Sequence, residues 1–327
     1  MSQVSHITSP DWPRPAPTRE RIAVILPCYN EAKTIGEVVR NFKQVLPDAA
    51  IYVCDNNSSD ETSDVAREAG AEVLFESYQG KGNAVRRLFS DVEADIYIMA
   101  DGDGTYDAAS APHLVEALRE RRLAMINGAR NYEGDGAFRQ GHKFGNLMLT
   151  GLVRMFFGAR FKDMLSGYRI MSRRFVKSFP ALSDGFEIET ELTVHALRLR
   201  LPCAEIETPY YARPDGSVSK LNTFRDGFRI LRMIVRLVRD EKPLEFFSAL
   251  GTLIALLATI LAVPVLITYM QTGLVPRFPT LIAAMGLGSI SILSFAAGLI
   301  LDTLSRVRIE QRRLAYLALR ADCPETA

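Results

Sequence analysis

The chain has 327 residues, of which 48% are hydrophobic and 24% are charged, and its formal net charge is +1. This composition is typical of a globular protein. The chain lacks the strong net positive charge that is typical of proteins that bind nucleic acids. We therefore expect no nucleic acid among its partners. The four cysteines are scattered and form no CxxC pair, so neither a zinc site nor a disulfide framework is predicted.

The first twenty residues, 1–20, are rich in proline and polar side chains. They contain no apolar core of the kind that a signal peptide requires. We therefore expect a disordered leader, followed by a domain that stays in the cytosol.

Short apolar runs alternate with amphipathic segments over the next hundred residues. The runs that predict strands are RIAVIL (21–26), IYVC (51–54), AEVLF (71–75), DIYIMA (95–100) and LAMING (123–128). The segments with helical spacing are 35–45, 62–69, 83–92 and 111–121, with a further helix at 187–199 and an edge strand at 203–208. This alternation predicts an α/β fold with a largely parallel sheet, covered by helices on both faces.

Three polar loops follow predicted strands, namely 27–31, 55–60 and 101–107. In parallel sheets of this kind, ligands bind beyond the carboxyl ends of the strands. We therefore expect these three loops to line one binding edge of the sheet.

The third loop carries the stretch MADGDGTYD, which spans residues 99–107. A calcium-binding EF-hand loop starting at Asp101 would need glycine at its sixth position and glutamate at its twelfth. Tyr106 and Pro112 occupy those positions, so that interpretation fails. The segment QGKGNA (79–84) does not match a Walker A loop, and PCYNE after the first strand does not match GxGxxG.

An Asp-x-Asp pair at the end of a strand remains. Asp101 and Asp103 can bind one divalent cation, Mg²⁺ or Mn²⁺, while Gly102 lets a phosphate approach the backbone closely. Such a cation would offset the charge of a diphosphate, the leaving group of a nucleotide sugar. Asp-x-Asp pairs also occur by chance in acidic loops, so the pair alone does not decide the function.

Five segments together resemble one enzyme family. They are AVILPCYNEAKTI (23–35), VCDNNSSDET (53–62), GKGNAVRRLF (80–89), MADGDGTYD (99–107) and GYRIMSRR (167–174). Their order and approximate spacing are similar to those of family 2 glycosyltransferases with the GT-A fold. The resemblance is closest to membrane-bound polyprenyl-phosphate glycosyltransferases, such as dolichol-phosphate mannose synthases and their bacterial relatives, and it covers roughly residues 21 to 310.

The resemblance implies a role for each matching residue. Nucleotide-sugar-binding positions are Pro27, Tyr29, Glu31, Asp55, Lys81, Asp101, Gly102, Asp103, Arg213 and Lys220. The implied catalytic set is Asp101, Asp103, Arg130, Arg139 and Glu189, with Asp101 and Asp103 as the metal ligands. Acceptor-binding positions are Arg130, Arg139, Ser166 and Arg169. Many mannose synthases have glutamine where this chain has Thr105, which weakens the case for GDP-mannose as donor and favours a UDP-sugar.

Several polar residues keep two interpretations. Glu189 and Glu191 are either catalytic acids or members of a solvated or ion-paired helix face. Asp107 has no assigned role beyond capping the helix that starts near residue 110. His142 and Lys143 are weaker candidates for phosphate binding.

The C-terminal third predicts a membrane anchor. Residues 246–269 and 278–301 contain no charged side chain. Each segment is long enough to cross a bilayer core as a helix, which requires roughly 20 residues. Before them, a helix at 223–242 places arginines on one face, at positions 225, 229, 232, 236 and 239. Such a helix suits an anionic lipid surface. Because arginines flank both outer ends, we expect both termini, including the tail 302–327, in the cytoplasm.

These features predict inverting transfer of one sugar from a nucleotide-diphosphate sugar to a polyprenyl phosphate of the cytoplasmic membrane. The predicted glycosyltransferase domain is 21–222. A processive polysaccharide synthase is excluded because its QxxRW motif is absent, Trp12 being the only tryptophan. The alternative is a non-catalytic, membrane-tethered scaffold that binds nucleotide sugars. The sequence leaves the oligomeric state open, a homo-oligomer included.

Overall fold

The structure is a computed structural model. It describes residues 20–132, 151, 161–185, 187–212, 232, 235–236, 238–240 and 242–319. The predicted leader, apart from Glu20, and most of the predicted arginine helix at 223–242 therefore lie outside the described residues.

A seven-stranded mixed sheet forms the centre of the domain. Its strands are β1 (Ile22–Cys28), β2 (Ala50–Asp55), β3 (Glu72–Phe75), β4 (Ile96–Met99), β5 (Met125–Tyr132), β6 (Arg169–Ser172) and β7 (Cys203–Tyr210). Their spatial order is β3-β2-β1-β4-β6-β5-β7. All adjacent pairs are parallel except those made by β6, which runs antiparallel to both β4 and β5. The predicted mostly parallel sheet and its edge strand at Cys203 are confirmed, whereas β6 was not predicted.

Helices cover both faces of this sheet. They are α1 (Ile35–Val45), α2 (Thr62–Glu68), α3 (Lys81–Asp91), α4 (Ala111–Glu120), α5 (Arg173–Ser178) and α6 (Ile188–Arg198). Alternating β1 residues enter different cores: Ala23 and Ile25 pack with α3, α5 and α6, while Val24 and Leu26 pack with α1, α2 and α4. Burial on both faces explains why the strands read as continuous apolar runs.

Two long antiparallel helices follow, α7 (Pro243–Thr272) and α8 (Phe278–Ala318). Both are long and apolar enough to cross a membrane. Small residues line much of their contact: the buried α7 positions after Pro243 are Gly251, Ala258 and Val265, and the buried α8 positions along α7 are Ala284, Ser291 and Gly298. The seven-residue spacing keeps one seam of each helix against the other. Across it, the Ser291 hydroxyl donates to the Gly251 carbonyl at 2.9 Å.

The last part of α8 leaves the apolar stretch and packs against the sheet domain. Ile309 and Tyr316 contact the core beneath α5 and α6. Arg174 of α5 donates from Nε to the Tyr316 carbonyl at 2.6 Å, and its guanidinium lies 4.1 Å from the centre of that ring. Arg198 of α6 donates to the Ser305 hydroxyl at 3.0 Å. The segment predicted as a tail is therefore helical through residue 318 and attached to the domain.

A buried histidine lies beneath this contact. The ring of His195 is 5.4 Å from the Phe175 ring and 5.3 Å from the Phe179 ring, and the residue is 1% exposed. Burial, with a smaller contribution from the Arg312 charge, lowers the pKa of His195 from 6.5 to about 3. The folded protein therefore holds a neutral imidazole across the physiological range.

This histidine predicts an acid-dependent loss of stability. The unfolded chain binds a proton at His195 below pH 6.5, but the folded chain does so only near pH 3, so the stabilisation present above pH 6.5 is lost as the pH falls between these values. In wild type, this effect lowers the free energy of unfolding by about 2 kcal/mol at pH 5, and we expect His195→Leu to abolish that decrease. Melting temperatures from pH 7.5 to 5 measure it, with the exposed His113→Gln as control. Parallel curves for wild type and His195→Leu would contradict the prediction.

Candidate active site

The loops after β1 and β2 are joined at the carboxyl edge of the sheet. The backbone N–H of Asn30 donates to the Ser58 hydroxyl at 2.9 Å. Asp55 is buried, and its Oδ1 accepts from the backbone N–H of Ser58 at 2.9 Å while its Oδ2 accepts from the Ser63 hydroxyl. The structure thus shows Asp55 holding its own loop, and its predicted contact with a nucleotide base stays a prediction.

The loop after β1 contains three residues predicted to bind nucleotide, and they lie at the same carboxyl edge of the sheet. Pro27 is buried at the end of β1, whereas Tyr29 and Glu31 are half-buried. The backbone N–H of Glu31 donates to the Thr62 hydroxyl at 2.8 Å, which ties this loop to the start of α2. The two loops form one connected surface beside the Asp-x-Asp pair.

The Asp-x-Asp loop places its two carboxylates differently. Asp103 is only 3% exposed, and its Oδ1 accepts from the Thr105 hydroxyl at 2.6 Å and from the Thr105 backbone N–H at 3.2 Å. The Asp101 side chain is 26% exposed at the loop surface. Thr105, considered in the sequence only for donor preference, therefore helps to orient Asp103.

Gly102, between the two aspartates, is required by packing. A Cβ at this position would overlap the Cys28 sulfur and Glu31 Oε2, and its carbonyl accepts from the Thr34 hydroxyl at 2.7 Å. Protein atoms occupy the space that the missing side chain leaves. Packing therefore explains the glycine at position 102 without the phosphate that the sequence interpretation invoked.

A buried lysine connects the Asp-x-Asp loop to helix α6. Lys81, the first residue of α3, donates from Nζ to Asp101 Oδ1 and, at 2.6 Å, to Glu189 Oε1. The side chains of Lys81 and Glu189 are 9% and 5% exposed. The second carboxylate oxygen of Glu189, Oε2, is buried without a hydrogen bond among the described residues. The sequence left open whether Glu189, as a helix-face residue, is solvated or ion-paired. The structure shows an ion pair.

This cluster holds one cation between two acids. Burial alone would lower the pKa of Lys81, but the Asp101 and Glu189 carboxylates raise it well above its ordinary value. Burial raises the pKa of Glu189, against the opposing effect of Lys81 and with a further increase from Asp101. Lys81 is therefore a permanent cation between two acids, and its loss would leave both carboxylates of the cluster without their shared cation.

A glycine permits this close arrangement. A Cβ at Gly167 would lie 2.9 Å from both Asp101 carboxylate oxygens and 3.0 Å from Lys81 Nζ. The backbone N–H of Gly167 donates to the Tyr106 hydroxyl at 2.7 Å, which fixes the glycine over the cluster. The segment before β6 thus shapes the Asp-x-Asp site without supplying a charged group.

We expect Gly167→Ala to lower the sugar transfer predicted from the sequence by about 10-fold or more, because a displacement of about 1 Å in a catalytic group can cost 100-fold. The added methyl group must displace the short Asp101 side chain. Steady-state kinetics with the donor varied measure the effect. Gly286→Ala is the control, since nothing lies within 4 Å of its Cβ position. Equal activity of the two variants would show that Asp101 tolerates the displacement.

Arg130 forms a two-bonded ion pair. It donates from Nε to Asp163 Oδ2 and from Nη2 to Asp163 Oδ1, both at 2.7 Å, and its guanidinium lies 5.6 Å from the Tyr210 ring centre. Burial alone would raise the pKa of Asp163, but Arg130 holds it below its ordinary value. The phosphate-binding role implied for Arg130 stays a prediction, and a phosphate there would compete with Asp163.

Two residues predicted to bind the acceptor are fully buried. The Ser166 hydroxyl donates to the Gly128 carbonyl at 2.5 Å. Arg169 is 0% exposed, and it donates to the carbonyls of Ser166 at 3.0 Å, Met164 at 2.9 Å and Glu189 at 3.3 Å. These bonds join β6 to the start of α6. Direct acceptor contact stays a prediction, whereas the structure shows both residues supporting the site from beneath.

The remaining candidates are distributed as follows. Asp107 Oδ1 accepts from the Ala109 N–H at 3.3 Å and caps the 3₁₀ turn before α4, as the capping interpretation predicts. Glu191 accepts from the backbone N–H groups of Leu182 and Ser183, at 3.2 and 2.9 Å, and therefore holds a loop. The predicted residues that lie outside the described residues are Arg139, His142, Lys143, Arg213 and Lys220.

The sequence interpretation overlooked three contributors, namely Tyr106, Asp163 and Thr105 as a hydrogen-bond donor. Tyr106 and Thr105 stand inside the quoted stretch MADGDGTYD, so their proximity was visible although their contacts were not. Asp163 lies 33 residues from Arg130, and no local pattern connects them.

Comparison with known proteins identifies the family. The profile of glycosyl transferase family 2 matches residues 23–179. Glycosyltransferase AglJ from Haloferax volcanii is 35% identical over 236 residues, which cover 72% of this chain and 78% of AglJ. The chain belongs to glycosyl transferase family 2. The dolichyl-phosphate hexose transferase of Haloferax volcanii is 25% identical to this family 2 chain over 225 residues, 69% of the chain and 97% of that relative.

Solved structures show the same fold. Glucosyl-3-phosphoglycerate synthase from Mycobacterium tuberculosis, in complex with Mn²⁺ and uridine-diphosphate-glucose, is similar with a TM-score of 0.55 and 23% identity. The match covers 67% of this chain and 78% of the synthase. The predicted GT-A fold of this family 2 enzyme is confirmed, with two long apolar helices added at its C-terminus.

Proposed function

We propose that this family 2 glycosyltransferase moves a single sugar from a nucleotide-diphosphate sugar to the phosphate of a membrane polyprenol, with inversion at the anomeric carbon. A UDP-sugar is the favoured donor, and GDP-mannose is the second candidate. The observation that carries the proposal is the Asp101–Lys81–Glu189 cluster at the carboxyl edge of the sheet, in a chain that continues into two membrane-length helices.

The acidic loop fits a divalent cation held jointly with a diphosphate. Asp101 and Asp103 have one residue between them, and no group of three or more metal-binding side chains occurs among the residues that the structure describes. Mg²⁺ is commonly bound by one or two carboxylates together with substrate phosphates, which matches this donor set. When bound, the cation would neutralise the departing diphosphate. Related structures holding Mn²⁺ with UDP-glucose, or Mg²⁺ with UDP, support this assignment.

The acceptor proposal combines the helices with the chemistry of a phosphate. A haloarchaeal relative is named a dolichyl-phosphate hexose transferase, and α7 and α8 would keep the domain beside a membrane-bound acceptor. A phosphate monoester carries about −1.5 to −2 charges at pH 7, so its oxygen needs no strong base before it attacks. This explains how the site can work without a histidine at the Asp-x-Asp loop.

In the proposed reaction, an acceptor phosphate oxygen forms a bond to the anomeric carbon while the bond from that carbon to the diphosphate breaks. Both reactants are anions, so cations near the site reduce their repulsion. Among the residues that the structure describes, Arg130 is the candidate for this role, although it forms an ion pair with Asp163. Arg139, Arg213 and Lys220 are proposed from the sequence to assist.

We assign Lys81 and Glu189 to positioning within this mechanism. Lys81 Nζ holds Asp101 Oδ1, and Glu189 holds Lys81 from the other side. Because the acceptor needs no proton removed, Glu189 supports the reaction through Lys81 rather than as a base. The proposed chain of contacts fixes the carboxylate that faces the diphosphate.

The proposed location is the cytoplasmic membrane, crossed twice by α7 and α8. Arginines before α7 and after the apolar part of α8 support a topology in which both outer ends face the cytoplasm. The sheet domain would then reach nucleotide sugars made in the cytosol.

A donor screen tests the function. The purified full chain in detergent is incubated with polyprenyl phosphate, Mn²⁺ and each of several UDP- and GDP-sugars, and the lipid product is analysed by mass spectrometry. We expect one donor to give a lipid heavier by one sugar, with Asp103→Asn as the inactive control. Nucleotide-sugar binding without any lipid product would favour the scaffold alternative.

A further inference from the structure

A cavity lies at the base of the helical hairpin, away from the Asp-x-Asp loop. Its volume is about 360 Å³, within the range of about 300–1,000 Å³ that small-molecule sites occupy. It is lined by Arg239, Asp240, Pro243, Phe247, Leu301 and Arg308. These residues stand where α7 begins and where α8 leaves its apolar stretch. In the proposed membrane placement, this would be the level of the cytoplasmic headgroups.

The cavity lining has a cationic part and an apolar part. Arg239 and Arg308 provide two guanidinium groups, and one acid, Asp240, accepts from Arg239 Nε at 2.8 Å. Phe247 and Leu301 form the apolar part together with the buried Pro243. The lining therefore carries two positive charges and one negative charge beside a hydrocarbon surface.

The apolar part is held in place by contacts between the helices. The Phe247 carbonyl accepts from the Ser294 hydroxyl at 3.0 Å. A Cβ at Gly298 would lie 3.0 Å from the Phe247 Cβ, so the glycine lets the phenylalanine backbone approach α8. The cavity is thus built on a fixed helix pair.

We infer that this cavity binds the phosphate headgroup of an anionic phospholipid. The planar guanidinium groups of Arg239 and Arg308 match phosphate oxygens, and the first methylene groups of the lipid chains contact Phe247 and Leu301. Cytoplasmic leaflets are rich in anionic lipid, so both the positive charge of the cavity and its proposed depth suit such a headgroup. The inference rests on the proposed membrane placement, not on sugar transfer.

The test is native mass spectrometry of the full chain, released from vesicles that contain equal amounts of phosphatidylglycerol and phosphatidylcholine. We expect wild type to retain phosphatidylglycerol in preference, and Arg239→Gln/Arg308→Gln to retain about 10-fold less. The control is Arg312→Gln/Arg313→Gln, which removes the same charge from α8 outside the cavity lining and is expected to match wild type. Equal retention by the cavity variant and wild type, or equal retention of both lipids, would overturn the inference.

Two competitors distinguish the source of the phosphate. Displacement by millimolar inorganic phosphate would identify a free-anion site and overturn the lipid assignment. Displacement by an equal amount of polyprenyl phosphate would identify an acceptor site and overturn it as well. Resistance to both supports a phospholipid site. No turnover is measured, so failure of the proposed sugar transfer would leave these results unchanged.

Discussion

Asp103→Asn is expected to lower sugar transfer at least about 100-fold, the scale on which loss of one preorganised electrostatic group acts. Asparagine keeps the shape of the side chain and can still accept from the Thr105 hydroxyl, which lies 2.6 Å from Oδ1. The negative charge is lost, and an NH₂ group replaces the second carboxylate oxygen. Transfer is measured by product mass spectrometry, and Mn²⁺ binding is measured separately by electron paramagnetic resonance with UDP present.

Asp107→Asn is the matched control for that experiment. It makes the same chemical change four residues along the same loop, at a position that caps a 3₁₀ turn. Asparagine caps about as well as aspartate, so both folding and transfer are expected to stay near wild type. Normal Mn²⁺ binding and turnover in Asp103→Asn would contradict the metal assignment.

Lys81→Met is expected to destabilise the domain by about 3–5 kcal/mol, because it leaves the buried Glu189 carboxylate without its cation. For a domain of this size, that corresponds to a fall in melting temperature of about 6 °C or more. Transfer is expected to fall as well, since Asp101 loses the group that holds its Oδ1.

The buried cysteines supply the measurement. Burial raises the pKa of the Cys54 thiol to about 12, and Cys28 is also buried with a raised pKa, so both stay unreactive until the domain unfolds. Cys203 is only half-buried and Cys323 lies outside the described residues, so both are replaced by serine. A thiol-reactive fluorophore in a thermal ramp then reports the melting temperature in detergent.

The second variant is Lys81→Met/Glu189→Gln, which removes the buried acid together with its cation. We expect it to recover most of the stability but not the activity. If the double variant melts as low as the single one, the charge imbalance is not the cause of the instability.

The sequence predicted the strands whose residues are apolar on both faces. β1, β2 and β4 are continuous apolar runs that end in polar loops, so their positions were predicted to within a few residues. β6 was not predicted because it begins with Arg169, a residue type that is seldom buried. Burial is possible there because three backbone carbonyls accept from the guanidinium: those of Ser166 and Met164 just before the strand, and that of Glu189, 20 residues further along the chain.

The site was predictable to the extent that it is local. Asp101 and Asp103 are separated by one residue in the chain, and their pattern indicates cation chemistry. The Lys81–Glu189 contact spans 108 residues, and it depends on how α3 and α6 pack on the same face of the sheet. Charge type alone could not select these two residues from among the chain's 39 basic and 38 acidic side chains.

The length of α8 has a consequence for the distance between the bilayer and the site. At about 1.5 Å per residue, its 41 residues extend about 60 Å, twice the hydrocarbon thickness of about 30 Å. The contacts of Ser305 and Tyr316 attach the outer half to α6 and α5. In a membrane, the helix that carries Glu189 would therefore stand at a constant height above the lipid. Each residue inserted into α8 before Ser305 would raise the domain by about 1.5 Å and rotate it by about 100°.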